Sequence, residues 1–134
     1  MQHGIGLVPE DRKRQGLVLS MSSLANMTLA ILPSLARATL VKSRAERAIG
    51  QKYFDRLSVR APNLDATAAG LSGGNQQKLV LAKWLAAQCH VLILDEPTRG
   101  VDVGAKAQIH ALIGELAAQG VAVSNATAAL HIAC

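Results

Sequence analysis

The apolar residues of this chain fall into two kinds of spacing, and each predicts a different element. Uninterrupted apolar runs occur at 5–8 (IGLV), 91–94 (VLIL) and 121–123 (VAV), and such runs are typical of buried strands. Apolar residues three or four positions apart predict amphipathic helices over 24–32, 43–57, 75–87 and 102–117. Strands that alternate with helices in this way predict an α/β fold with a short parallel sheet.

Polar residues and glycines at the ends of these segments predict where the helices begin and end. Ser22 or Ser23 is placed to cap the first helix, which Pro33 would then end. The sequence SRAE at 43–46 matches a capping box for the second helix. Gly120 suits the end of the last helix, so the run that follows it would return to the sheet as a strand.

The sequence LSGGNQQK at 71–78 combines a glycine turn with the start of a helix. Glycine leaves the backbone amides accessible, and the unpaired amides and positive dipole end of a helix start stabilise an anion. Ser72 can cap this helix or donate to the anion, and Gln76, Gln77 and Lys78 are expected to lie near the same end. The pattern therefore indicates a phosphate-binding turn.

Two adjacent carboxylates, Asp95 and Glu96, follow the apolar run at 91–94. Open α/β sheets bind their ligands at the carboxyl ends of the strands, which is where these two residues would lie. One carboxylate can hold Mg²⁺ and the other can orient a water molecule, so the pair indicates phosphate chemistry.

Together these stretches resemble the ABC-type ATPase family. Residues 71–78 resemble its signature motif, 91–96 its Walker B strand, and TRGVD at 98–102 its D-loop. These variants, with EDRKR at 10–14, are similar to the second nucleotide-binding half of the fused ATPases that drive bacterial monosaccharide importers. The resemblance extends over 4–123 and implies ATP and Mg²⁺ as ligands.

The resemblance also implies a role for the glycine turn in a partner's site. In this family the signature motif of one half closes over ATP that is held by the other half. Ser72, Gly73, Gly74 and Gln76 are therefore expected to contact the nucleotide of a partner.

The remaining implied roles concern the nucleotide of the chain's own half. Asp95 would hold Mg²⁺ through water, Glu96 would position the attacking water, and Asp102 belongs to the D-loop. Glu10 occupies the position of the Q-loop glutamine, which is a departure from the family. A carboxylate there repels a triphosphate unless Mg²⁺ or Arg12 compensates, so a weaker catalytic site is expected.

No segment fits G-x-x-x-x-G-K-[ST], so the Walker A region is absent from this sequence and the resemblance implies a partial P-loop NTPase domain. The expected domain covers 1–123, with a helical subdomain at about 10–87 and a Walker B and D-loop part at about 88–123. The three apolar runs would form contiguous parallel strands, with the Walker B strand in the centre.

Residues 124–134 do not match the family. They are expected to be poorly ordered or to pack as an adventitious helix, and His131 lies past the family's switch position.

The composition narrows the possible partners. The chain has 134 residues, of which 50% are hydrophobic and 2% aromatic, so one aliphatic core is expected. The formal charge of +5 permits a nucleic-acid partner, but the basic residues at 12–14 and 37–60 form no nucleic-acid-binding motif, so solvated surfaces are expected instead. The uncharged stretch 16–36 has too many polar residues for a transmembrane segment. Two cysteines without metal-ligand spacing are typical of a reduced, cytoplasmic protein.

The function implied by the resemblance is that of the ATP-hydrolysing subunit of a carbohydrate importer. Such a subunit is peripheral on the cytoplasmic face of the bacterial inner membrane, and its partners are another nucleotide-binding half and a transmembrane permease subunit. Because the Walker A region is absent, the isolated chain is expected to be inactive. Two alternatives stay open: a non-catalytic partner of an ABC ATPase or membrane subunit, and a decayed or frameshifted gene product without activity.

Overall fold

The structure, a computed structural model, describes residues 4–37 and 40–126. The strands in this part of the chain are β1 (Ile5–Val8), β2 (Ala36–Arg37), β3 (Leu40–Val41), β4 (Val91–Leu94) and β5 (Ala122–Asn125). The α-helices are α1 (Ser23–Thr28), α2 (Leu32–Leu35), α3 (Ser43–Arg56), α4 (Gly73–Ala86) and α5 (Val103–Ala118). A π-helical turn covers Arg12–Gly16, and short 3₁₀ turns cover Leu29–Ile31 and Ala68–Gly70.

Three of the strands form a parallel sheet in the order β1-β4-β5. Ile5 pairs with Val91, and Val91 pairs with Ala122, so the three strands begin at the same level. The prediction of a short parallel sheet with the 91–94 strand in the centre is confirmed. Central parallel strands are buried, and Leu92 and Leu94 of β4 are accordingly in the core.

The last strand extends further than the sequence predicts. Ser124 pairs with Ile93 and Asn125 pairs with Leu94, although both residues are polar and exposed. The expectation that the chain is irregular from Ser124 onward is wrong for these two residues. The backbone groups of β4 are available for pairing whatever side chains the edge strand carries, and an edge strand can point polar side chains to solvent. The rest of that prediction, including His131, concerns 127–134 and lies outside the described residues.

The core lies between the sheet and the helices and is aliphatic, as the composition predicts. Its fully buried members include Met27 from α1, Leu79 and Leu81 from α4, and Ile109 from α5. Trp84 of α4 packs against this core from a partly buried position.

Trp84 fixes α4 against the first strand. Its indole N–H donates to the carbonyl of Leu7 at 2.6 Å. A Cβ atom on Gly6 would lie 2.9 Å from the indole ring, so only glycine lets the ring approach the strand this closely. Trp84 therefore has a packing role.

Two predicted helix signals are wrong, and one is confirmed. Ser22 caps α1 by accepting from the amide of Ala25 at 3.1 Å. Pro33 does not end a helix but stands in the first turn of α2, where its missing N–H has no partner to lose. The capping box at 43–46 is not formed, because Lys42 is the N-cap residue and the carboxylate of Glu46 accepts from the hydroxyl of Thr28 at 2.7 Å.

Candidate functional site

The glycine turn at 72–74 opens α4 in the way the sequence predicts. Ser72 is the N-cap residue, and its hydroxyl oxygen accepts from the amide of Asn75 at 3.4 Å and from the Asn75 side chain at 2.9 Å. Gly73 and Gly74 are the first two helical residues. Their amides belong to the first turn of the helix, which has no intrahelical acceptors, so they are suited to an anionic ligand.

A second helix begins beside this turn. Asp102 caps α5 by accepting from the amide of Ala105 at 2.9 Å. A Cβ atom on Gly74 would lie 2.6 Å from the Cβ of Ala105, so the two helix starts are in close contact because Gly74 has no side chain. A cleft of about 250 Å³ opens between them and is lined by Ser72, Gly74 and Asp102, with Asn75 and Lys78 also on its wall.

Gln76 is placed differently from the sequence expectation. Its side chain is only 3% exposed and donates to the carbonyl of Ala68 at 2.9 Å, so it lies beneath the turn and outside the cleft. Gln77 is also buried. Asn75 holds the third helical position, which points back toward the N-cap. Gln76 holds the fourth position, which points toward the core. Of residues 76–78, which are all expected near this end of the helix, Lys78 lines the cleft and the two glutamines do not.

Asn75 and Arg60 also line this cleft, although the sequence pattern assigns a site role to neither. The side-chain oxygen of Asn75 accepts from the amide of Arg60 at 2.8 Å, which connects the loop after α3 to the helix start. Lys78 donates to the carbonyl of Ser58 at 2.9 Å and to the side chain of Gln108 at 3.2 Å. Burial, and to a smaller extent the charge of Arg60, lowers the pKa of Lys78. The capping geometry at Ser72 is the sequence signal that points to Asn75, whereas no local signal points to Arg60.

A second cleft lies at the carboxyl ends of β1 and β4. The amide of Asp95 donates to the carbonyl of Val8 at 2.9 Å, so the two strands deliver their next residues to the same place. The cleft has a volume of about 560 Å³, and both Glu10 and Asp95 line it, together with Asp11. The structure therefore brings together two of the predicted site residues, from positions 85 residues apart in the chain.

The charges in this cleft are paired differently from the expectation. Glu10 forms an ion pair with Arg99, not with Arg12. Arg12 is buried, and its guanidinium donates to the carbonyls of Arg99 at 2.7 Å and Gly100 at 3.2 Å. The expectation of a fully solvated basic cluster at 12–14 is therefore wrong for Arg12. Burial lowers the pKa of Arg12, while the nearby charge of Asp11 acts in the opposite direction.

Glu96 follows Asp95 directly and is exposed. Its φ of +45° lies in the left-handed region, which a residue with a side chain adopts at a cost of about 1 kcal/mol or more. The carbonyl of Glu96 accepts from the amide of Arg99 at 3.0 Å, so a tight turn imposes this conformation. Such local strain is common at functional positions.

The residues of the second cleft suit a hard cation that is bound mainly by phosphate and water. Carboxylate oxygens are the ligands that Mg²⁺ prefers, and Asp95 offers one at a strand end. In the part of the chain that the structure describes, no group of three or more His, Cys, Asp and Glu residues could hold a metal ion alone. The donor set therefore fits Mg²⁺ only when a phosphate completes the coordination shell.

Comparison with known proteins identifies the family. The family model described as "ABC transporter" matches residues 1–99. This chain belongs to the ABC transporter family. Its α/β fold, with three parallel strands and helices, is that of an ABC ATPase cassette of the P-loop NTPase type. Within the described residues no helix is long and apolar enough to cross a membrane.

The ABC ATPase chain is also similar to curated relatives. It is 50% identical over 123 residues to the ribose import ATP-binding protein RbsA of Jannaschia sp. (strain CCS1), which covers 92% of this chain and 24% of that protein. It is 51% identical over 123 residues to the protein of the same name from Geobacillus kaustophilus, covering 92% of this chain and 25% of that protein. The chain thus spans about a quarter of the length of these relatives.

Solved structures share the fold of this ABC ATPase chain. A dimeric ATP-binding cassette in a post-hydrolysis state, bound to ADP and Pi, superimposes with a TM-score of 0.72 at 22% identity and covers 92% of this chain and 51% of that one. A metal-chelate type ABC transporter in an inward-facing conformation superimposes with a TM-score of 0.73 at 22% identity, covering 90% and 47%.

Proposed function

We propose that this chain supplies the signature, Walker B and D-loop parts of the ATP-hydrolysing subunit of a carbohydrate ABC importer. The observation that carries the proposal is the presence of two separate clefts. One lies between the starts of α4 and α5, and the other lies at the carboxyl ends of β1 and β4. The first suits a phosphate held by another half, and the second suits the metal and water of the chain's own half.

The signature cleft would act in a partner's site. Ser72, Gly73 and Gly74 offer a hydroxyl and backbone amides at the start of a 14-residue helix, where an incoming γ-phosphate is stabilised. Gln76 belongs to the same motif and, because it holds the carbonyl of Ala68, would support the turn from below. Asp102 would stand in the D-loop at the same interface, since its cap fixes the start of α5.

The strand-end cleft would act on the chain's own nucleotide. Asp95 would hold Mg²⁺ through water, and the bound metal would neutralise charge on the β- and γ-phosphates. Glu96 would orient the attacking water from its strained turn. Glu10, at the Q-loop position, is already paired with Arg99, so a nucleotide that enters must compete with this ion pair.

The relatives support the carbohydrate assignment, because they are named as ribose import ATP-binding proteins. The proposed partners are another nucleotide-binding half and a transmembrane permease subunit, on the cytoplasmic face of the bacterial inner membrane. The proposed division is a partial ATPase domain over 1–123, with a helical subdomain at about 10–87 and a Walker B part at about 88–123. We place the boundary of the matching domain before the segment 124–134.

The test uses a chimera and the chain itself. Residues 4–123 replace the matching segment of a complete ribose import ATPase, and phosphate release is measured with saturating MgATP. We expect the chimera to hydrolyse ATP, Glu96→Gln to abolish turnover in its own site, and the exposed Glu115→Gln on α5 to act as a matched control without effect.

The isolated chain provides the second arm. We expect no tight binding of MgATP by calorimetry, because the sequence contains no Walker A pattern to hold the β- and γ-phosphates. Binding at micromolar concentration, or turnover that requires Glu96, would contradict this part of the proposal. A chimera that assembles with the permease but never hydrolyses ATP would instead favour the alternative of a non-catalytic partner.

A further inference from the structure

Arg12 has an unusual environment for an arginine. The residue is only 7% exposed, and no carboxylate forms an ion pair with it among the described residues. Its hydrogen-bond acceptors are instead two successive carbonyl oxygens, those of Arg99 at 2.7 Å and Gly100 at 3.2 Å. Burying a cation that makes no direct ion pair is costly, and the charge of Asp11 offsets this cost only in part, so these two charge-assisted bonds hold the guanidinium against the 99–100 peptide.

The signature turn touches the same guanidinium. A Cβ atom on Gly73 would lie 2.6 Å from the outer nitrogen of Arg12 and 2.8 Å from the carbonyl oxygen of Gly100. Gly73 is therefore in van der Waals contact with both ends of the Arg12–Gly100 hydrogen bond. Three chain segments, the loop after β1, the D-loop segment at 98–102 and the signature turn, meet at one side chain.

We propose that Arg12 is a positioning residue that fixes the D-loop segment against the signature turn. The role of these two segments in ATP hydrolysis rests on the proposed function above, whereas their attachment through Arg12 rests on the contacts alone. A displacement of the loop that carries Arg12 would move Gly100, and with it Asp102, which caps α5 only two residues later. The loop after β1 would thus control the distance between the two helix starts.

Arginine is suited to this position because its planar fork reaches two acceptors at a fixed angle. Gly100 has a φ of +63°, and in this turn its carbonyl and that of Arg99 face the same guanidinium. A lysine would bring one point charge and could not span both carbonyls with the same geometry. The Arg99 side chain also forms an ion pair with Glu10. The loop after β1 therefore contacts the 99–100 segment through two of its residues, Glu10 and Arg12.

The test is hydrogen exchange on the whole chain, which requires neither ATP nor a partner. In Arg12→Ala, amides in peptides covering 71–76 and 98–102 are expected to exchange at least about tenfold faster, the ratio that corresponds to the loss of one hydrogen bond to a charged group. Exchange in β4 is expected to change by no more than the loss of global stability measured by urea unfolding. Arg12→Lys should give an intermediate acceleration. Arg14→Ala, which removes an exposed cation from the same turn, should leave both peptides as in the wild type.

A second variant approaches the contact from the other side. Gly73→Ala is expected to accelerate exchange at 98–102, although residue 73 is distant from that segment in sequence. Gly70→Ala is its control, because a Cβ there would meet one atom at an ordinary distance of 3.8 Å. Uniform acceleration over the whole chain in Arg12→Ala, or unchanged exchange at 98–102 in Gly73→Ala, would overturn the proposal. A chimera that fails to hydrolyse ATP would count against the proposed function and would leave these exchange results unaffected.

Discussion

Replacing Gly74 with alanine tests the close contact of α4 with α5. The added Cβ would lie 2.6 Å from the Cβ of Ala105, whereas carbon atoms in contact prefer about 3.5–4.0 Å. Neither atom can rotate away, because each is attached directly to a helical backbone. The two helix starts must therefore separate by about 1 Å, or α5 must shift along its axis.

The cost can be separated from helix propensity with a matched variant. Forcing extra atoms into a packed contact costs about 1–3 kcal/mol. Exchanging glycine for alanine in a helix contributes up to about 1 kcal/mol in the opposite direction. Gly114→Ala on α5 provides the propensity gain alone, since nothing lies within 4 Å of a Cβ at that position. We expect Gly74→Ala to have a free energy of unfolding about 1–3 kcal/mol lower than that of Gly114→Ala.

Urea unfolding followed by circular dichroism measures both variants, and a double-mutant cycle assigns the cause. Ala105→Gly removes the opposing methyl group, so the pair Gly74→Ala with Ala105→Gly should be more stable than the sum of the single effects by about 1–3 kcal/mol. If Gly74→Ala is as stable as Gly114→Ala, or if the cycle shows no coupling, the helix starts do not touch as described. The cleft between them would then have a volume larger than about 250 Å³.

Three further predictions concern buried groups and the Q-loop position. Burial raises the pKa of the Cys89 thiol and shields it from reagents. In a variant whose C-terminal cysteine is replaced by serine, we therefore expect iodoacetamide to label Cys89 at the rate of global unfolding. Rapid labelling of the folded chain would contradict the buried position of Cys89. The ammonium of Lys83 donates to the carbonyl of Gly16 at 2.8 Å, and burial lowers the pKa of Lys83. The unfolded chain therefore binds more protons than the folded chain at alkaline pH. The free energy of unfolding should accordingly rise as the pH approaches about 10.4. Lys83→Met should flatten this rise in urea titrations from pH 8 to 10, and an identical slope in both proteins would refute the burial effect. Glu10→Gln, measured as phosphate release by the chimera, is expected to raise hydrolysis because it removes a carboxylate near the nucleotide phosphates, and a lower rate would show that the carboxylate has a positive role.

Local pattern was sufficient for the elements that form the sheet and for the ends of the helices that carry the site. The apolar runs at 5–8 and 91–94 became strands with the predicted bounds, and Ser72 and Asp102 cap α4 and α5. These features depend on contacts within a few residues. Helix caps use side chains three positions away, and buried strands require continuous apolar character, so both can be inferred from adjacent residues.

The same local patterns failed where a distant group competed for a side chain. Glu46 matched a capping box but bonds instead to Thr28 of another helix. Ser124 is polar, yet it belongs to the sheet because it pairs with Ile93 of β4. A hydrogen-bond partner that lies far away in sequence leaves no periodic trace in the segment that it alters.

The sequence by itself identified the family and the residues that we propose carry the chemistry, namely the carboxylates after β4 and the glycine turn at the start of α4. Only the tertiary structure decided how these residues are connected. It paired Glu10 with Arg99, buried Arg12 against two carbonyls, turned Gln76 inward and placed Asn75 at the cleft. The physical reason is that a polar or charged side chain can form hydrogen bonds with several alternative partners. Which partner it has depends on which segments the packing of α4 and α5 against the sheet brings within hydrogen-bonding distance.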